Sequence, residues 1–455
     1  MGTRSRLRTL RLLPLVAATY FMVSGGPYGL EDIVGQAGYA RALALLLVVP
    51  ALWSLPTALL VGELASALPE EGGFYAWVRR ALGPFWGVQE AWLSLASSVF
   101  DMAIYPALFL AYVGQLQPAW TAGARGTWLG VALVVLCLAW NLRGTCAVGR
   151  ASVAALVLLL APFVAMAGFA LARLLGLLHP AGQGLVALQG WAGMRAACAW
   201  GTAPAHGSLT AALLLTLWNY MGWDNASTVA NEVEQPQHNY GRAMLAAVAV
   251  VTLSYVVPVA MVAASGIPAA ILTTGAWVQA ARLLAGARWG GALATLVMLG
   301  GALTAVAMFN ALALSYAHLP AAMAEDGLLP HVFARRTRTG APWVALLACG
   351  AAWMLALGLS LTRLLELDVL LYGLSLILEF VALLVLRLRA PAMERPFRIP
   401  GGTGAVALLA VFPTGLIGFA LYAARADRIA PHLSALALGL GIIALGPVLY
   451  GARRR

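Results

Sequence analysis

The chain has 455 residues, 62% of them hydrophobic and 10% charged, and its formal net charge of +11 arises from 28 basic residues, all arginine. A mean hydropathy of +0.86 excludes a soluble globular domain and marks a polytopic membrane protein. The excess of positive charge reads as membrane topology and not as nucleic-acid binding.

Twelve apolar spans of membrane length are expected, near 13–36, 42–67, 86–115, 124–142, 147–177, 209–231, 242–264, 290–319, 342–360, 367–386, 403–423 and 432–450. With the N-terminus inside, cytoplasmic segments hold 19 arginines, and 28 − 19 = 9 remain for the other side. The 19 include Arg4, Arg6, Arg8 and Arg11 at the start, Arg335, Arg336 and Arg338 in a loop, and Arg453, Arg454 and Arg455 at the end. This asymmetry follows the positive-inside rule and places both termini in the cytoplasm. The absence of lysine, with abundant Ala and Gly, points to a GC-rich bacterial genome and so to a bacterial cytoplasmic membrane. The arginine-rich start mimics a signal peptide, but eleven later spans predict a retained first helix.

The first span is interrupted by Ser24-Gly25-Gly26-Pro27-Tyr28-Gly29-Leu30-Glu31-Asp32. Three glycines and a proline in six residues break a helix, and two carboxylates follow at once. Irregular backbone in a bilayer survives only where protein or a water-filled cavity satisfies it, and acids there are costly and functional. Ser24, Gly25, Gly26, Tyr28 and Glu31 are therefore candidate binding residues. Glu63 lies one turn from the cytoplasmic end of the second span, placed to pair with a loop arginine. The stretch Leu68–Trp77 reads as a loop of turn residues and aromatics, and the segment that follows it, to Gly87, is expected to be a short interfacial helix with Trp77 and Trp86 as anchors.

The third span carries Asp101 and Tyr105, four residues apart and so on one face. Asp101 lies 15 residues beyond Trp86, or roughly 22 Å of helix, well inside the membrane. The fourth and fifth spans are aliphatic scaffold. The external segment Leu178–Gly207, with Trp191, Trp200, His179 and His206, carries no evident chemistry. In the sixth span the chain turns polar at Asn219-Tyr220-Met221-Gly222-Trp223-Asp224, where Gly222 weakens the helix. Asn219, Trp223 and Asp224 join the candidates. Farther on, Tyr372 and Glu379 are seven residues apart and share a face of the tenth span. The segment from Arg395 to Gly402 reads as a structured cytoplasmic loop.

Two interrupted spans five apart are the mark of an inverted-repeat transporter. The expected fold is an all-α membrane domain over 1–455, with twelve transmembrane helices. Residues 12–177 form the first repeat, 209–386 the second, and 403–450 two appended helices, helices 1 and 6 being broken. Cys137, Cys146, Cys198 and Cys349 lack metal-ligand spacing, and no nucleophile–base pair or phosphate loop is present. An enzyme, a metal and a cofactor are therefore not expected.

Four stretches resemble the amino acid–polyamine–organocation superfamily, and within it the polyamine-uptake branch. They are Ser24 to Asp32, Gly83-Pro84-Phe85-Trp86-Gly87-Val88-Gln89-Glu90, Trp223 to Glu234, and Leu371 to Phe380 with the Arg395–Gly402 loop. The resemblance implies a leucine-transporter-type fold, alternating access, and uptake of amines or amino acids, usually with protons. Related amino acid carriers hold the substrate carboxylate on free amides of the first break. Here Pro27 removes one amide and two acids follow, which favours a cation. The helix 5 lysine that replaces sodium in some relatives is missing.

The leading expectation is a secondary transporter importing polyamines or related cationic amines, with the proton as coupling ion. Glu31, Asp101, Asp224 and Glu379 would supply charge, and Tyr105, Trp223 and Tyr372 cation–π surfaces. A proton-coupled amino acid permease is the alternative, with Ser24, Gly25 and Gly26 on the carboxylate. A sensor that binds without transporting is a third reading. The partners expected are the small-molecule substrate and the lipid bilayer; oligomeric state is left open.

Overall fold

Apolar segments in a bilayer must pair their own backbone groups, and helices do so locally. The computed structural model describes residues 10–70, 72–143, 145–175, 207–424, 428–430 and 433–453, and it is helical almost throughout. The segment with Trp191, Trp200, His179, His206 and Cys198 lies outside the described residues, as do the terminal arginines Arg4, Arg6, Arg8, Arg454 and Arg455.

The helices in chain order are α1 (Leu12–Val23), α2 (Glu31–Ala37), α3 (Tyr39–Val49), α4 (Leu55–Ala67), α5 (Phe74–Leu82), α6 (Pro84–Gly114), α7 (Pro118–Thr121), α8 (Gly123–Asn141) and α9 (Thr145–Leu174). After the undescribed segment come α10 (Leu209–Asn219), α11 (Pro236–Ala264), α12 (Trp277–Glu325), α13 (Trp343–Met354), α14 (Leu361–Arg389), α15 (Gly402–Ala424) and α16 (Ala435–Arg453). A π-helical turn, Pro50–Ser54, joins α3 to α4, and a nine-residue 3₁₀ segment, Asp224–Glu232, follows α10. Two short antiparallel strands, β1 (Arg428–Ala430) and β2 (Leu433–Ser434), precede α16. Among the described residues, eight helices are long and apolar enough to cross a membrane, α3 and α4 counting as one. Three further apolar helices are shorter, at Leu12–Val23, Trp343–Met354 and Leu436–Gly451. The chain is an integral membrane protein.

The α6 helix sits at the centre, packed on α12 and α14, while α1 packs on α9 and α11 and α2 on α10. Within α12 the backbone turns at Gly286, whose φ of 69° is open to glycine. The α5 helix is not an interfacial anchor throughout. Trp77 is fully buried and donates its indole N–H to the Leu68 carbonyl at 3.1 Å, whereas Trp86 is 44% exposed. Polar Arg79 and Arg80 mark the outer face of this helix; its aromatic face is core. Cys137 and Cys349 are buried free thiols, as small apolar residues would be.

One end of the bundle is held by a buried ion cluster. Glu63, with no exposed surface, takes two hydrogen bonds from the Arg387 guanidinium, at 2.8 and 2.5 Å. Arg395 lies 3.3 Å away, and the Ile399 N–H donates to Glu63 at 2.9 Å. Arg387 also donates to the carbonyls of Gly402 and Ile399. The expected loop arginine is thus joined by a second one from α14. Phe397 of the same loop fills the space over Gly62 and Gly241, where a Cβ would meet its ring at 3.1 and 2.3 Å. The cluster ties α4, α11, α14 and the 390–401 loop together.

Candidate functional site

The first break runs from Ser24 to Leu30. Gly26 and Gly29 adopt φ of 69° and 92°, which L side chains rarely take. The Gly26 N–H donates to the Ser24 hydroxyl at 3.0 Å. The Gly29 N–H donates to Glu31 at 2.7 Å. Glu31 also accepts from the Tyr112 hydroxyl at 2.5 Å and from the Gly275 N–H at 3.0 Å. Asp32 accepts from the backbone and the hydroxyl of Thr274. Glu31 therefore ties α2 to α6 and to the 274–275 loop, and Asp32 ties it to the same loop.

The second break lies between α10 and the 3₁₀ segment. Gly222, at φ 89°, donates its N–H to the Tyr372 hydroxyl at 3.0 Å, and that hydroxyl donates to Asp224. The Trp223 indole donates to the Tyr220 carbonyl at 2.8 Å. The two breaks touch: a Cβ on Gly222 would stand 2.4 Å from the Met22 carbonyl oxygen. Any side chain there would force the breaks apart.

At this junction α1, α6, α10, α12 and α14 enclose a cavity with about 20 Å³ open to the centres of water molecules. Its acids are Asp101 and Asp368. Asp101 accepts from Tyr105 at 2.9 Å, from the Trp218 indole at 3.2 Å and from Tyr316 at 3.2 Å. All three donors are neutral. Asp368 accepts from the Ser97 hydroxyl through one oxygen, and its other oxygen has no hydrogen-bond partner. No basic side chain lines the cavity among the described residues. Aromatic rings do: Tyr28 and Tyr112 meet edge to face at 5.1 Å, and Tyr105 and Trp218 lie tilted at 6.3 Å. Such a wall accepts a cation, with carboxylates for charge and ring faces for cation–π contact.

The structure sorts the residues singled out in the sequence. Gly25, Tyr28, Asp101, Tyr105, Asn219 and Tyr372 line the cavity. Asp224 stands one hydrogen bond behind it, through Tyr372. Ser24 and Gly26 hold the break to itself, Glu31 holds α2 to α6, and Trp223 is buried at the second break. Glu379 is buried away from the cavity, with neither oxygen hydrogen-bonded. Sequence reasoning passed over Asp368, Tyr316, Trp218 and Tyr112. Asp368 carried a readable signal, being four residues before Tyr372 and on its face.

An amino acid permease family model matches residues 16–443. The chain is 35% identical to the polyamine transporter PUT1 of Oryza sativa subsp. japonica, over 99% of this chain and 79% of that protein. It is 33% identical to the polyamine transporter RMV1 of Arabidopsis thaliana, over 96% of this chain and 85% of the relative. It is 24% identical to the serine/threonine exchanger SteT of Bacillus subtilis (strain 168), over 98% and 95%. With its apolar helices and two broken segments, the chain belongs to the amino acid permease family of the amino acid–polyamine–organocation superfamily, and is a membrane transporter rather than an enzyme.

Proposed function

We propose that the protein imports polyamines or related cationic amines by alternating access, coupled to protons. The observation that carries this reading is the cavity between the two breaks: two carboxylates, a wall of aromatic rings and, among the described residues, no basic side chain. A transported cation loses its water there and needs carboxylate partners. The relatives named as polyamine transporters support the same substrate class. Coupling to protons rests on the buried acids and on the absence of any lysine to act at a sodium position.

The amino acid reading stays second because of the serine/threonine exchanger among the relatives. Against it, the Gly26 N–H is taken by Ser24 and the Gly222 N–H by Tyr372, which removes one amide at each break from carboxylate binding. Spermidine is expected to raise the unfolding temperature of the purified protein, by about 2.7 kcal/mol of stabilisation at a hundredfold excess over Kd. Serine and other neutral amino acids at the same concentration should leave it unmoved. In proteoliposomes an inward proton gradient should drive labelled spermidine uptake, and a sodium gradient at constant pH and potential should not. Binding without accumulation would make the protein a sensor.

For the membrane arrangement, we read twelve crossings. Eight are the long helices, α13 and α16 are short ones, and α1–α2 and α10 with its 3₁₀ extension are the broken ones. Residues 12–177 and 209–386 would be the inverted repeats. From the arginine asymmetry we read both termini as cytoplasmic, and from the lysine-free, Ala- and Gly-rich composition we read the membrane as bacterial. A cysteine introduced at position 2 should react only from the inside, and labelling from the outside of intact cells would overturn this topology.

A further inference from the structure

Helices α6 and α14 pack along each other at the centre of the bundle. Each carries a row of polar side chains at the spacing of a single helical face. On α6 the row is Glu90, Ser94, Ser97 and Asp101; on α14 it is Asp368, Tyr372, Ser375 and Glu379. Both follow i, i+4, i+7 and i+11, spanning about 16 Å. The rows run in opposite directions. At one end Ser97 donates to Asp368, and in the antiparallel register this sets, Glu90 lies level with Ser375 and Glu379 one turn beyond. Asp101 and Asp368 therefore share the cavity, and Glu90 and Glu379 lie within about a helical turn of each other beyond it.

Three features mark the Glu90–Glu379 pair. Glu90 and Glu379 have no exposed surface, and neither lines the cavity. Glu90 accepts from the Ser94 hydroxyl at 3.2 Å, but its second oxygen has no hydrogen-bond partner, and Glu379 has none on either oxygen. No arginine or histidine forms an ion pair with either among the described residues. The titratable groups on the neighbouring elements include Glu63 on α4, Tyr75, Arg79 and Arg80 on α5, Tyr316 and His318 on α12, Cys349 on α13 and Tyr450 on α16; α12 also carries Arg282, Arg288 and Glu325, α8 Arg125 and Cys137, and α15 Tyr422. Glu63 is bound to Arg387, Tyr75 and Arg79 to Asp326, Arg80 to Glu70, and Tyr316 to Asp101. Asp224 joins the α14 row through the Tyr372 hydroxyl, between Asp368 and Glu379.

We propose that Glu90 and Glu379 are a proton-binding pair that holds the coupling proton between them, next to Asp224. Two adjacent carboxyls without a cation cannot both stay ionised in a buried site. A proton needs no cavity, whereas an ammonium group does, and the open space lies at the other end of the rows. With the proton in place, this half of α6 and α14 packs dry. Its loss leaves an unpaired buried charge, which water entering from that side relieves. Release of the proton and opening of the inner half are thereby one event. The proposal rests on the proton-coupled reading above.

The test uses the full chain in proteoliposomes with labelled spermidine. One readout is accumulation driven by an inward proton gradient; the other is spermidine exchange at equal pH on both sides, followed across pH. For E379Q and E90Q accumulation should fall at least tenfold and exchange should lose its pH dependence. E379D, which keeps a titratable carboxyl, should regain the proton drive with a shifted pH midpoint. Wild type that fails to respond to the proton gradient would overturn the proton-coupled reading and the pair with it. A responsive wild type with both Gln variants accumulating equally well would overturn the pair alone. A tenfold rise in Kd for spermidine with the proton drive intact would make the pair an ammonium site and overturn it as well. Should the Gln variants not fold, E379D carries the test, and an unshifted midpoint overturns the proposal.

Discussion

Asp101→Asn is expected to weaken the binding of a cationic amine by about tenfold to a thousandfold, or roughly 1–4 kcal/mol. The change keeps the shape of the side chain and removes its charge. Tyr105, Trp218 and Tyr316 hold the Asp101 carboxylate from three helices, so its position is fixed before any cation arrives. An Asn oxygen accepts from some of these donors, but the amide nitrogen meets others, which adds local repulsion to the lost charge. Asp368→Asn should act in the same direction, because its second oxygen is unpartnered at the same cavity. A diamine should lose more than a neutral amino acid. The measurement is Kd by isothermal titration for spermidine and for serine, on both variants. Unchanged spermidine affinity in both would make these acids structural.

Arg387→Ala should destabilise the folded protein by about 3–5 kcal/mol, because it strands the Glu63 charge in a buried position. Arg395 at 3.3 Å and the Ile399 N–H would then be the remaining partners of Glu63. Two carbonyls, of Ile399 and Gly402, would lose their donor as well. Arg387→Lys should recover only part of the loss, since an ammonium does not reproduce the two-pronged contact. The double variant Glu63→Gln, Arg387→Ala should be less damaging than the sum of its parts. Thermal unfolding in detergent measures all three. An unchanged midpoint for Arg387→Ala would show that the cluster contributes nothing to stability.

The two helix breaks were legible in the sequence because glycine, proline and polar residues interrupt apolar runs. Asp101 and Tyr105 were legible for a related reason, as an acid and an aromatic on one face at mid-span. Glu63 was placed beside a loop arginine correctly, since a buried acid at a helix end needs a cation. The fate of Glu31 was not legible. Its partners, Tyr112 and Gly275, come from distant parts of the chain, and only the packed structure shows that its lone pairs are filled. Trp77 was read as an anchor because an amphipathic helix with aromatics resembles an interfacial one. That α5 turns its aromatic face into the bundle is a tertiary fact. Asp368 escaped notice although its spacing to Tyr372 was plain, because no break or glycine drew the eye to α14.

The narrowness of the cavity has a consequence for how cargo is chosen. About 20 Å³ accommodates little more than one water, which needs about 10–15 Å³ by the same measure. An amine with several methylenes must push the walls outward before its charges find partners. Measured affinity is then the intrinsic affinity scaled by the population of the widened form. The walls are unequal in stiffness. Tyr105, Trp218 and Tyr316 are tethered to Asp101, whereas Met22, Met221 and Met308 are unbranched and yield readily. Expansion proceeds on the methionine side, so the aliphatic stretch of a guest would settle there while its ammonium groups stay with the acids. Selection among amines of equal charge becomes a mechanical matter, decided by how much chain the soft wall absorbs.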